Sequence, residues 1–127
     1  MNNKDAISYS ETELKYLAKY IAQTITVRGT EAQEEHTRKT TGWEENYIYE
    51  VAYGTLLAIR NMSYHPELLS GIMYTAESIL DNFMPHCNGY TTLYMELNNL
   101  FIENKTETKL VVNEDYVEYL RNRSVSS

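Results

Sequence analysis

WEENYIYEVAYGTLLAIR, Trp43 to Arg60, is the stretch that decides the fold. At 3.6 residues per turn its apolar positions do not collect on one side. Trp43, Tyr47, Val51, Gly54 and Ala58 share one side, Ile48, Ala52, Thr55 and Ile59 a second, and Tyr49, Tyr53, Leu56 and Arg60 a third. A helix apolar all round is buried centrally or sandwiched between subunits, so the segment up to Met62 is expected to be the central helix of an all-α bundle. Thr41-Gly42-Trp43-Glu44 has capping-box spacing at its start. Gly54 inside it costs about 1 kcal/mol relative to alanine, which predicts close approach of another helix.

Working upstream, Ser10-Glu11-Thr12-Glu13 is a second capping box and opens a first helix. Leu14, Leu17, Ala18, Ile21 and Ile25 form its main stripe, and Tyr16, Tyr20 and Val27 a second one. The β-branched stretch from Thr24 to Val27 predicts an end or bend near Gly29, with Thr30 to Thr40 a polar loop or an exposed helical turn. Downstream, Pro66 at a first helical position starts a third helix that Pro85 stops. Its stripe is Leu69, Ile72, Met73, Ala76, Leu80 and Phe83, with Tyr74, Glu77, Ser78 and Asp81 opposite. Thr91 or Thr92 caps a fourth helix to about Glu103, burying Leu93, Leu97, Leu100 and Phe101. After a turn at Asn104 to Thr108, Lys109 to Val112 is a short β-prone run needing a partner strand, either Thr24 to Arg28 or another subunit. Asn113 caps a last short helix to about Asn122. Four main helices, a short C-terminal helix and one short strand near 109–112 thus form a single domain, with frayed ends at about 1–8 and 124–127.

Composition narrows the functional classes. With 43% apolar residues and twelve tyrosines in 127, the chain is expected to fold. No apolar run approaches the about 20 residues of a membrane span, and the polar start Met1 to Asp5 has no secretory pattern. One cysteine, Cys87, makes no internal disulfide, and the expected location is cytoplasmic. The net charge of -7 is unevenly placed. Residues 1–39 carry six acids and six bases, and 105–127 four of each, so both ends are neutral. Between them Glu44, Glu45, Glu50, Glu67, Glu77, Asp81, Glu96 and Glu103 face one base, Arg60. Such a middle repels phosphate backbones, so direct nucleic-acid binding is not expected. An acidic surface that merely keeps the protein solvated competes with one that occupies a basic surface of a partner, for which Glu44, Glu45, Glu77 and Asp81 are the candidates.

No constellation for turnover emerges, and no cofactor is expected. A di-iron bundle needs Glu-x-x-His pairs on two helices, and only Glu34, Glu35 and His36 crowd together, without that spacing. His86 and Cys87 are adjacent and have no second pair to complete a tetrahedral metal site. Adjacency also argues against a nucleophile-and-base pair, leaving Cys87 as a small filler. Glu50 lies on the most apolar helix, where a charge must be paired, hydrogen-bonded or at an opening. Tyr49, Tyr53 and Arg60 line one helical side over two turns, offering stacking faces and a planar cation to a nucleotide or a protein.

Helix one carries two apolar stripes and helix two three, more than a bundle this small covers alone, which predicts a homo-oligomer. The expected function is therefore binding without catalysis: an acidic helical protein docking on another macromolecule with a basic surface, in the manner of a small inhibitor from a phage or mobile element. The alternative is a homo-oligomer that sequesters a small anionic or nucleotide ligand through Tyr49, Tyr53, Arg60 and Glu50.

Overall fold

The fold was analysed in a computed structural model, which describes residues 3–32, 42–83 and 93–125. Among them are five α-helices, α1 (Glu11–Ala32), α2 (Gly42–Asn61), α3 (Leu69–Phe83), α4 (Leu93–Leu100) and α5 (Glu114–Val125). Three short strands, β1 (Lys4–Asp5), β2 (Phe101–Asn104) and β3 (Lys109–Val112), complete the predominantly helical architecture. The side chains of Trp43 and Glu44, together with Thr41, His36, His86, Cys87, Thr91 and Thr92, lie outside the described residues.

The capping box forms as its spacing requires: Ser10 Oγ accepts from the Glu13 N–H at 3.1 Å, and the Ser10 N–H donates to Glu13 Oε1 at 2.9 Å. From there Leu14, Leu17, Ala18, Ile21 and Ile25 are buried, the stripe expected of them. The helix does not end at Gly29 but continues to Ala32. Local propensity is a weak preference, and one glycine within 22 residues does not override it.

β3 finds its partners in the N-terminal β1 and, across the turn at 105–108, in β2 directly before it, and not at Thr24 to Arg28. Thr24 is buried within α1, and β3 lies centrally in an antiparallel sheet of order β1-β3-β2. Phe101 and Lys4 both face Val112 in the register. The fourth helix accordingly stops at Leu100 instead of Glu103, because aromatic Phe101 and β-branched Ile102 take the ladder β3 offers. The N-terminal segment, expected to fray, is held by β1 and by a helical turn at Ala6–Ser8. Lys109 Nζ ties it down further, 2.9 Å from Asp5 Oδ2 and 3.1 Å from Glu107 Oε2. Leu110 and Val112 alternate inward, and the Leu110 N–H donates to the Ser63 carbonyl at 2.9 Å, fastening the sheet to the α2–α3 turn.

α5 starts where the sequence places it. Asn113 Oδ1 accepts from the Asp115 and Tyr116 N–H groups, capping the helix, which buries Val117 and Leu120 against the core.

Candidate functional site

The three apolar sides of α2 meet three different fates. Ile48, Ala52 and Ile59 of the second side are buried in the core, joined by Leu56 from the third side. The other two border open grooves, one against α3 and one against α1.

The α2–α3 groove encloses about 730 Å³. Val51, Gly54, Thr55 and Ala58 come from α2, and Gly71, Ile72, Thr75 and Ala76 from α3. Met62, Leu68 and Ile79 project at its margins and are 41%, 42% and 37% exposed. Gly54 was expected to mark a tight helix crossing. Instead a Cβ built there, or on Gly71, meets nothing within 4 Å. The glycines deepen the groove instead of closing it. Glu50 takes the last of the three situations expected for it: it is exposed at the edge of this opening, in no need of a buried partner.

The α1–α2 groove, about 530 Å³, is lined by Thr12, Lys15, Tyr16, Lys19 and Ala22 of α1 and by Glu45, Asn46 and Tyr49 of α2. Tyr49 and Tyr53 stack nearly parallel, 6.2 Å between centroids and 7° between planes. Lys15 Nζ lies 5.7 Å from the Tyr53 ring centre. Arg60, grouped with these tyrosines by helical spacing, is turned to another task. Its Nη1 donates to the Tyr9 carbonyl at 3.2 Å and its Nε to Asn61 Oδ1 at 3.3 Å. The cations that α1 adds to the tyrosine side of α2 are lysines from a different helix, which spacing within α2 had no means of finding.

The acidic middle is also less uniform than its composition suggests. Glu96 is completely buried, with both carboxylate oxygens accepting from the Tyr116 hydroxyl, at 2.7 and 3.1 Å. Burial and this acceptor push the Tyr116 phenol well above its ordinary range, so it remains a donor. Glu77, expected on the wet side of α3, is half-buried at the α4 N-terminus, where Oε1 accepts from the Tyr94 N–H at 2.9 Å. Its burial, with a hydrogen bond and charge repulsion from Asp81, pushes its carboxyl up to about 7, against the lowering effect of the Tyr94 and Leu93 N–H groups. Both burials had a signal in the sequence: Glu96 flanks the Leu93, Leu97, Leu100 stripe, and Glu77 sits one turn beyond Met73. Of the acids assigned to a partner surface, Glu45 therefore edges the α1–α2 groove and Glu77 and Asp81 form a carboxyl pair beside α4.

Among the described residues no three His, Cys, Asp or Glu side chains assemble a metal site, and no helix is long and apolar enough to cross a membrane. No family model, no curated protein and no solved structure matches this chain.

Proposed function

We propose that the protein acts by binding and not by catalysis, seating an apolar helical segment of a basic partner protein in the α2–α3 groove. The observation that carries this reading is the groove itself. Gly54, Ala58, Gly71 and Ala76 leave room for a helix to approach closely, while Met62, Leu68 and Ile79 supply apolar margins. Exposed apolar surface gathered along two helices, in contrast to apolar residues scattered singly, is the usual mark of an interaction site.

Charge selects the partner. Glu50 lines the groove and Glu67, 66% exposed, lies beside Leu68 at its margin. Arg60, the one base between residues 40 and 104, is bonded to Tyr9 on the side of α2 away from the groove. A segment with lysines or arginines flanking its apolar face is favoured, and a second copy of this acidic chain would set like charges against each other. Covering a basic, apolar segment on a partner is an inhibitor's mode of action, and it needs no reactive group.

The test is fluorescence anisotropy with a labelled amphipathic helical peptide carrying a leucine face and lysine flanks, beside the same peptide with glutamate flanks. Saturable binding of the lysine peptide alone, weakened by salt and abolished by Ile79→Asp, is the expected result. Equal binding of both peptides, or binding indifferent to Ile79→Asp in a folded variant, would refute the reading. Light scattering supplies the other decisive outcome: a mass near twice 14.8 kDa that Ile79→Asp halves would assign the groove to a second copy.

A further inference from the structure

A second site lies on the opposite side of α2, and it differs in chemistry. The α1–α2 groove brings together two cations, aromatic faces on both walls and two hydrogen-bond acceptors. From these we infer that it binds a nucleoside phosphate, independently of the docking groove.

Helical spacing puts Lys15 and Lys19 one turn apart on the groove side of α1, with Tyr16 between them. Among the described residues no carboxylate lies within ion-pair distance of either lysine, although the chain carries 18 acids and 11 bases. Elsewhere Lys4, Lys109 and Arg121 are all paired with acids. Two ammonium groups left together in one groove of an acidic protein favour a ligand that brings its own negative charge, and a phosphate accepts from both.

The walls add a preference for flat rings. Tyr16 is backed by Tyr20 at 6.4 Å between centroids, and Tyr49 by Tyr53 at 6.2 Å. Each groove-lining ring is thus held by a second ring, which lowers the ordering cost of stacking a base on it. The groove's volume of about 530 Å³ is in the range of small-molecule sites.

Polarity along the groove sets the orientation. Arg60 reaches Tyr9 and Lys15 reaches Tyr53, so α1 and α2 run antiparallel. That register places Glu45 and Asn46 at the Ala22 end and Lys15 at the other. A carboxylate only accepts hydrogen bonds, and an amide also offers an acceptor, so this end suits the ring's amine or the sugar hydroxyls. Inorganic phosphate would satisfy the lysines alone, whereas a nucleoside phosphate engages both ends and the rings between.

The experiment is isothermal titration of the full chain with adenosine 5′-monophosphate, guanosine 5′-monophosphate, adenosine and inorganic phosphate in turn, with amide chemical shifts read in parallel. At least one of the two monophosphates is expected to saturate with a Kd below about 1 mM and to bind at least about tenfold more tightly than adenosine or phosphate. Both lysines are exposed, so Lys15→Gln with Lys19→Gln leaves the fold intact by circular dichroism and costs about tenfold or more in affinity. Tyr49→Ala weakens binding and Tyr49→Phe restores it, while Ile79→Asp in the other groove changes nothing. No saturation by either monophosphate, equal affinity for inorganic phosphate, or full binding by the double lysine variant would each overturn the inference.

Discussion

Replacing Gly54 with alanine tests the openness of the α2–α3 groove directly. Gly54 is the thirteenth of twenty residues in α2, an interior position where glycine is about 0.8–1.0 kcal/mol less favourable than alanine. A Cβ there meets nothing within 4 Å, so no clash offsets that gain. Gly54→Ala is therefore expected to stabilise the isolated chain by about 0.8 kcal/mol, or about 3 °C in Tm for a domain of this size. Gly71→Ala is just as free of clashes but stands at the third position of α3, where helix propensity counts for less. It should add about 0.3–0.5 kcal/mol. The assay is chemical denaturation followed by far-ultraviolet circular dichroism, with the slope checked for constancy between variants. A Gly54→Ala protein no more stable than the parent, or less so, would mean that something already fills the groove, and the docking site would be lost with it. Gly54→Leu separates the two consequences: leucine keeps most of the helical gain while its side chain intrudes where a partner helix would lie, so stability rises and peptide binding falls.

Other predictions rest on single contacts. Tyr116→Phe removes the hydroxyl that both oxygens of buried Glu96 accept from, and denaturant titration should show a loss of about 2 kcal/mol. A change below about 0.5 kcal/mol would mean that other groups satisfy the carboxylate. Among the described residues the buried Thr24 hydroxyl has no hydrogen-bond partner, so Thr24→Val should stabilise the chain by about 1 kcal/mol, and destabilisation would reveal a bond. Ser10→Ala takes the acceptor from the Glu13 N–H and should cost about 1 kcal/mol, with Ser10→Asp retaining it. For Glu77 the folded carboxyl titrates near 7 against an unfolded value of 4.5, so the folded state holds the extra proton between them. Its contribution is complete below pH 4.5 and is lost as pH rises through about 7. Because the side chain is only half-buried, solvent screening reduces the effect to about 1 kcal/mol. Glu77→Gln keeps an acceptor for the Tyr94 N–H and should flatten that slope, and an unchanged slope would assign it to other groups.

Much of the architecture was legible because local chemistry specified it. The Ser10 box, the Asn113 cap, Pro66 at the first position of a helical turn and the β-prone run from Lys109 to Val112 all act within a few residues, and each appears in the fold. Helical periodicity grouped Ile48, Ala52 and Ile59, which are buried together, and Val51, Gly54 and Ala58, which line one groove, but it put Thr55 with the first set and Leu56 with neither. It did not tell which positions would be core, since Val51, Ile48 and Leu56 are alike in hydrophobicity, and only the neighbouring helices bury Ile48 and Leu56 while Val51 borders a groove. The same gap explains Arg60: spacing put it beside Tyr49 and Tyr53, but a carbonyl 51 residues upstream took its guanidinium.

By itself, the sequence determined where helices begin, which residues could form their apolar stripes and that the negative charge lies in the middle of the chain. Tertiary structure alone decided that β3 would pair with the N-terminal β1, that Glu96 would be buried against Tyr116, and that two sides of α2 would border grooves of opposite chemistry. The physical reason is range. Caps and periodicity are settled by atoms within one or two turns of chain, whereas a groove exists only between elements, and its contents depend on which residues distant in sequence happen to line the facing wall.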